Sequence, residues 1–316
     1  MNRFVKFSTE DSPSSSNPNM KVPTRARIRA QVSARHRCQF RNIFVYVQIL
    51  LSIASLSFPV VRGLARAMTP KGMNNLSPIE SLLLGSRLEE IKTGIEKDYS
   101  SCSNTKTQTF IFPGAGGVDE LVVELQASKP NSVVVDWKEY RGSILTASFD
   151  SEAVGEAIAE ILLGNMENEI NHRDGSIELI GISVGAFAAN AAATVVHRHL
   201  MANNPDSLDV HLVLLDPFCG RGVFGPNYGR DNFGKHATTA LQILNTDDPV
   251  PSTNDSLPLC YCIDVTDAPQ KQDFVLLPGD SMHSWPLAYF IRHYSGTDLP
   301  ESASSVLPRG KVKIIS

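Results

Sequence analysis

Between two stretches of opposite character the chain carries Gly181-Ile182-Ser183-Val184-Gly185. Before it, Ser176-Ile-Glu-Leu-Ile180 is a short β-rich run that predicts a buried strand. After it, the run from Ala186 to Leu200 has alanine at 186, 188, 189, 191, 192 and 193, which predicts a tightly packed helix. A strand that becomes a helix within five residues leaves almost no room at the turn. The two glycines supply that room, and the serine between them is forced into strained backbone with its hydroxyl above the sheet edge. A plain glycine-rich turn packing a helix onto a sheet is the simpler reading. The strand on one side and the helix on the other favour a reactive serine.

The same alternation runs through the rest of the chain. Strands are predicted over 108–112, 132–137, 177–182, 210–215, 240–244 and 274–277, and residues 260–265 also have strand character. Helices are predicted over 118–127, 151–163, 186–200 and 285–294. Ahead of them, Ser77-Pro78-Ile79-Glu80 is a capping box with proline at the first helical position. The helix it opens extends to about Lys97, with Ile79, Leu82, Leu83, Leu88, Ile91 and Ile95 on one face. Strands that are apolar throughout, separated by helices, predict a doubly wound, mostly parallel α/β sheet covered on both faces. The expected division is 1–67 as a basic N-terminus with a hydrophobic targeting or anchor segment, 68–107 as a helical leader and linker, and 108–316 as the α/β domain.

Charge separates the first of these from the rest. Residues 1–67 hold 11 of the 29 Lys/Arg and only Glu10 and Asp11 of the 33 acidic residues, leaving the remainder with 18 basic against 31 acidic side chains, a net charge of −13. So acidic a body excludes nucleic acid and anionic membrane surfaces as natural partners. Ser8 to Pro23 has the composition of a disordered segment. A basic run (Arg25, Arg27, Arg29, Arg35, Arg37, Arg41) precedes an apolar run from Ile43 to Val61, and Ala65-Arg66-Ala67 is an A-x-A-like cleavage site. This order predicts a secretory signal peptide or an uncleaved signal-anchor, with membrane association through residues 43–61. Ser55-Leu-Ser-Phe58-Pro59 also resembles the serine–phenylalanine junction of algal plastid presequences. Cys219 paired with Cys260 or Cys262 would close the loop after Asp216 in an oxidising compartment, and unpaired buried thiols fit equally well. No cofactor-binding or metal-ligand pattern stands out.

Acyl transfer by a serine needs a base to take its proton and an acid to orient that base. In a parallel α/β fold with the serine at such a turn, those groups are expected at strand C-termini in the order serine, acid, histidine. Asp216 ends the strand after the alanine-rich helix and is the first candidate acid; Asp248 and Asp264 are its rivals. His283 follows a strand and the turn Leu277-Pro-Gly-Asp280 and precedes a helix, which makes it the candidate base, with His236 as the rival. The oxyanion needs two backbone N–H donors. Val184, at the start of the helix, is one candidate. Ala115, in the loop Pro113-Gly-Ala-Gly-Gly117 after the first strand, is the other. No Gly-Lys-Ser/Thr follows that loop and Pro113 lacks an N–H, so a phosphate cradle is disfavoured.

On these residues the sequence resembles the α/β-hydrolase superfamily, and more narrowly the pancreatic-type lipases and lipase-like microbial serine hydrolases, from about Phe110 to Tyr294. Val135-Asp136-Trp137-Lys138, Leu214-Leu-Asp216-Pro217, Asn245-Thr-Asp-Asp-Pro-Val-Pro-Ser-Thr253 and His283-Ser-Trp-Pro286 carry the likeness beside the serine motif. The resemblance implies Ser183 as nucleophile, Asp216 as acid, His283 as base, and an acyl-lipid ester as substrate. It departs from the family at Ile182, where histidine is usual, and at Pro113, which replaces the family histidine beside the oxyanion loop. The carboxylates that hold a structural calcium have no equivalents near Arg230 to Ala237, and no metal or cofactor is expected. The short interval from Asp248 to His283 predicts no large lid. Two alternatives stay open: an acyl thioesterase, because the 113–117 loop resembles that of stand-alone thioesterases, and a non-catalytic binding protein of the same fold.

Overall fold

The computed structural model describes residues 78–99, 107–142, 146–168, 175–203, 208–221, 227–248, 250, 253–276, 281–294 and 308–316. All of them lie in one compact unit, Gly63–Ser316. The readings of residues 1–67, including the apolar run 43–61, fall outside the described residues. Among the described residues no helix is long and apolar enough to cross a membrane.

In chain order the elements are α1 (Pro78–Tyr99), β1 (Thr107–Phe112), α2 (Glu120–Ser128), β2 (Ser132–Val134), α3 (Ala147–Asn168), β3 (Gly175–Ile182), α4 (Ala186–Asn203), β4 (Leu208–Leu215), α5 (Tyr228–Asn232), β5 (Thr239–Leu244), β6 (Tyr261–Asp264), α6 (Trp285–Tyr294) and β7 (Val312–Ile314). The seven strands form one sheet in the order β2-β1-β3-β4-β5-β6-β7. Every pairing in it is parallel. Because successive side chains alternate, each strand feeds two cores. Leu179, Leu212 and Leu214 join Leu88 and Ile95 of α1, Val154 and Ile158 of α3 and Phe187 of α4 on one face. Ile180, Val213 and Leu215 join Val122 and Leu125 of α2 and Trp285 and Phe290 of α6 on the other. The sheet is therefore covered on both sides, as its unbroken apolar strands require.

Small residues let α3 and α4 pack closely over the serine strand. A Cβ added at Gly155 would come 2.0 Å from the Ala188 carbonyl oxygen, so only glycine permits this approach. Strand order reverses beside β1: β2 lies outside it and all later strands lie on the other side, next to β3. The crevice at the C-terminal ends of β1 and β3 is thus the topological switch point, where ligands of doubly wound sheets bind.

Two expectations need correction. The strand read over 274–277 is not one: Pro269–Asp273 forms a 3₁₀ turn, residues 274–276 are irregular, Val275 is 77% exposed, and residue 277 lies outside the described residues. Apolar composition there marks surface, and the argument from this interval against a lid loses that support. The strand read over 132–137 ends at Val134, because Trp137 turns inward and its indole donates to the Pro113 carbonyl at 2.9 Å. Of the two readings left open for the cysteines, the structure shows the second: Cys219, Cys260 and Cys262 are free buried thiols.

Candidate active site

The serine turn is built by steric exclusion. β3 ends at Ile182, residues Ser183–Gly185 make one 3₁₀ turn, and α4 starts at Ala186. Ser183 has φ 54°, a left-handed conformation that costs a non-glycine residue about 1–3 kcal/mol. A Cβ on Gly181 would come 2.6 Å from Ala186 Cα, and one on Gly185 would come 2.1 Å from the Phe112 carbonyl oxygen, so neither glycine can be replaced without moving the turn. From α3, the buried Ser151 hydroxyl donates to the Val184 carbonyl at 3.0 Å and accepts from the Ala188 N–H at 3.1 Å, fixing both sides of the turn. The loop after β4 is tied on as well, since the Phe218 N–H donates to the Ser183 carbonyl at 3.0 Å.

Ile182 and Leu215 are register partners on β3 and β4, so Ser183 and Asp216 leave neighbouring strands side by side. Asp216 also has positive φ, 45°, and is 1% exposed. Its N–H still bonds the Ile243 carbonyl at 3.0 Å, and its Oδ1 accepts from the Asn245 N–H at 3.2 Å. His283 Nδ1 lies 2.9 Å from Asp216 Oδ2 and 2.5 Å from Asp248 Oδ2. The structure therefore brings the first candidate acid and its rival Asp248 to the same ring nitrogen. Asp264 is elsewhere, turned into its own loop with Thr266. His236 packs against His197, with ring centroids 5.1 Å apart.

Burial and charge set this cluster's protonation. Loss of water drives the Asp216 carboxyl up to about 7, against the pull of His283. Burial alone would lower His283, but hydrogen bonds to Asp216 and Asp248 overcome it and raise the imidazole to about 9. Burial also opposes charge on Asp248, yet its bonds from His283 and from the Val250 N–H hold it below the ordinary carboxylate value. Thr253 adds a hydroxyl donor to Asp248 Oδ2 at 2.7 Å. Asp216, Asp248 and His283 also offer ligand atoms within 4.8 Å of one another, a spacing that would suit a cation, but these same atoms are already bonded to each other.

His283 Nε2 is buried and has no hydrogen-bond partner, and no hydrogen bond joins it to Ser183 Oγ among the described residues. The other candidate groups stand around the serine. Val184 N belongs to the first turn leading into α4. In the Ala115 loop, the Gly117 N–H closes a turn on the Gly114 carbonyl at 3.0 Å. A Cβ on Gly114 would come 3.1 Å from Ser183 Cβ, so this loop lies directly against the serine.

Sequence reasoning missed several supporting residues. Asn245 donates to the Met282 carbonyl at 3.0 Å and accepts from Lys271 at 2.7 Å, linking the end of β5 to the histidine loop. Arg221, buried with Glu152 as its ion partner, lies 3.6 Å from the Tyr228 ring centroid and anchors the loop after Asp216. These are loop contacts between distant segments, and no periodicity announces them.

A strained serine between strand and helix against a glycine-rich loop, with a carboxylate on the neighbouring strand end in contact with a histidine, resembles the site of the α/β serine hydrolases. Within this frame, residues 114–202 match the lipase family model, a stretch that runs from the glycine loop through the serine turn and most of α4. The chain is thus lipase-like over the segment that carries the candidate nucleophile. No curated protein matches it.

Proposed function

We propose that the protein is a serine hydrolase that cleaves carboxylic esters of acyl lipids through an acyl-enzyme. The observation that carries this reading is Ser183, strained at the switch point of the sheet, with Asp216 on the neighbouring strand end in contact with Nδ1 of the half-buried His283. Ser183 Oγ attacks the ester carbonyl while His283 Nε2 takes its proton. The N–H groups of Val184 and Ala115 donate to the oxyanion, the former aided by the helix dipole. The carboxylates held against Nδ1 keep the imidazole proton there and so leave Nε2 free to accept. His283 then protonates the departing alcohol, and water, activated by the same imidazole, releases the acid. The lipase-family match and the exposed apolar residues Val275 and Leu276, on the segment between β6 and His283, support an acyl substrate.

The missing Ser183–His283 hydrogen bond is the feature that favours a non-catalytic binding protein, yet such bonds commonly tighten only in the substrate complex. A panel of p-nitrophenyl esters, triglycerides, phospholipids and acyl-CoA thioesters, assayed with wild type and Ser183→Ala, tests the proposal. Ester turnover that falls about 10⁴-fold in the variant supports it. Preference for acyl-CoA would make the enzyme a thioesterase, and turnover of nothing in the panel would leave a binding protein. We further propose that residues 43–61 direct the protein to the secretory route or anchor it in a membrane there, because a basic block precedes that apolar run.

A further inference from the structure

We infer that His283 is held by two carboxylates that share one proton, with Asp248 bearing the negative charge and Asp216 neutral; the inference rests on the hydrolase reading above. The geometry poses a problem that a single acid would not. One Nδ1–H faces two buried carboxylate oxygens, at 2.9 Å from Asp216 and 2.5 Å from Asp248. Were both ionised, the ring would stay an imidazolium to balance them, and a protonated Nε2 cannot take the serine proton. A proton on one carboxyl removes that conflict. The ring then faces one anion instead of two and loses the second carboxylate's share of the pull that raises it, so it gives up its Nε2 proton more readily while its Nδ1–H stays donated to the remaining anion.

The hydrogen bonds decide which carboxyl keeps the charge. Asp248 receives three donors: the Thr253 hydroxyl at 2.7 Å, the Val250 N–H at 3.0 Å and His283 at the shorter of its two contacts. Asp216 receives the Asn245 N–H at 3.2 Å and the longer contact from His283. An anion settles where donors are more numerous and closer. The opposed shifts of the two groups, Asp216 upward and Asp248 downward, agree with this assignment. The other titratable groups around the cluster among the described residues are Lys271, which reaches it through Asn245 with Asp247 behind it, and the Cys219 thiol near Asp216. In the acylation step the Ser183 Oγ–H bond breaks and an Nε2–H bond forms. The new imidazolium is balanced by Asp248, while the Asp216 proton stays where it was. Asp248 is thus the positioning residue that stabilises the charged ring, and the protonated Asp216 carboxyl donates to the Asp248 carboxylate.

The test uses the full-length protein. Infrared difference spectra of wild type against Asp216→Asn at about pH 6, below the Asp216 value of about 7, should show the carbonyl stretch of a neutral carboxylic acid in wild type alone. In parallel, kcat/KM on a p-nitrophenyl ester should fall by about 100-fold or more in Asp248→Asn, where the charge must move to the less well solvated site. It should fall by about tenfold or less in Asp216→Asn, whose amide still donates as the neutral acid does. Thr253→Val, which removes one donor from Asp248 without changing volume, should cost about tenfold and tests the same point if Asp248→Asn folds poorly, as judged by its thermal midpoint. No neutral-acid band in wild type, greater damage from Asp216→Asn than from Asp248→Asn, or a harmless Thr253→Val would each overturn the assignment. If wild type turns over no substrate, the hydrolase reading fails by itself, and the infrared band alone decides whether the proton is shared.

Discussion

Ser183 and Asp216, with Asn131, are the non-glycine residues with positive φ among the described residues, and the first two sit side by side on neighbouring strand ends. Strain of about 1–3 kcal/mol at each is tolerated because the surrounding glycines, Ser151 and the strand register permit no other path. Ser183 and Asp216 were legible in the sequence because each follows a strand whose apolar pattern ends sharply, whereas His283 was singled out in part by a strand at 274–277 that does not form, its position just before the final helix being the sound part of that reading. Asp248 was legible only as a rival, since it lies in the loop beyond the end of β5 at Leu244 rather than at the strand end itself. Thr253, Asn245 and Lys271 were not legible, because their roles arise from contacts between loops. The buried cluster also sets how stability varies with pH. Asp216 is raised from 3.8 to about 7 and His283 from 6.5 to about 9, so both bind protons more tightly in the folded state. Their contributions are complete below the unfolded values and fade as pH rises, that of Asp216 through about 7 and that of His283 through about 9. Asp248, held low, acts in the opposite sense, its contribution disappearing only as pH falls through its folded value. The thermal midpoint should therefore drop between about pH 4 and about pH 9, with Asp216→Asn flattening the part of that drop below about pH 7. A midpoint that climbs across this range would contradict the account of the cluster.

At the scale of elements, the site depends on how closely α3 and α4 press the serine turn onto β1 and β3. Glycines at 155, 181 and 185 each occupy a place where a Cβ would lie 2.0–2.6 Å from backbone. Gly155→Ala, remote from the reacting atoms, should push α4 away through the Ala188 carbonyl and cost about 3 kcal/mol of stability, read by chemical denaturation, together with a fall in kcat. Wild-type stability in that variant would show that the α3–α4 contact does not hold the turn. Most of these elements could be read directly from the chain. The helices at 186–203 and 285–294 and the strands ending at Phe112, Ile182, Leu215 and Leu244 are strongly patterned and match expectation. The failures have a common physical origin. Residues 274–276 look like a strand but find no partner edge, whereas β7 is short, exposed and recognisable only through its pairing with β6. Pairing between distant segments is not a local property of sequence.

On the scale of the whole molecule, the strand order places the candidate nucleophile and the glycine loop at the one crevice a doubly wound sheet leaves for a ligand. The lipase-family match spans both of these features and stops before the candidate acid and base, Asp216 and His283, which meet in the structure. The acidic body and basic leader suit a chain handed to a membrane translocation route, a property visible in sequence because charge needs no fold to be counted. Expressed in a eukaryotic cell, the protein should enter the secretory pathway, and if its leader is cleaved the mature chain should begin near Met68. A full-length cytosolic product would contradict this. The central claim is that Ser183 is an activated nucleophile, and the most direct measurement is covalent labelling by a fluorophosphonate, followed by mass mapping of the modified residue. The account predicts one adduct, on Ser183, that is absent in Ser183→Ala and strongly slowed in His283→Ala. An unlabelled wild-type protein, or an adduct on any other residue, would contradict it.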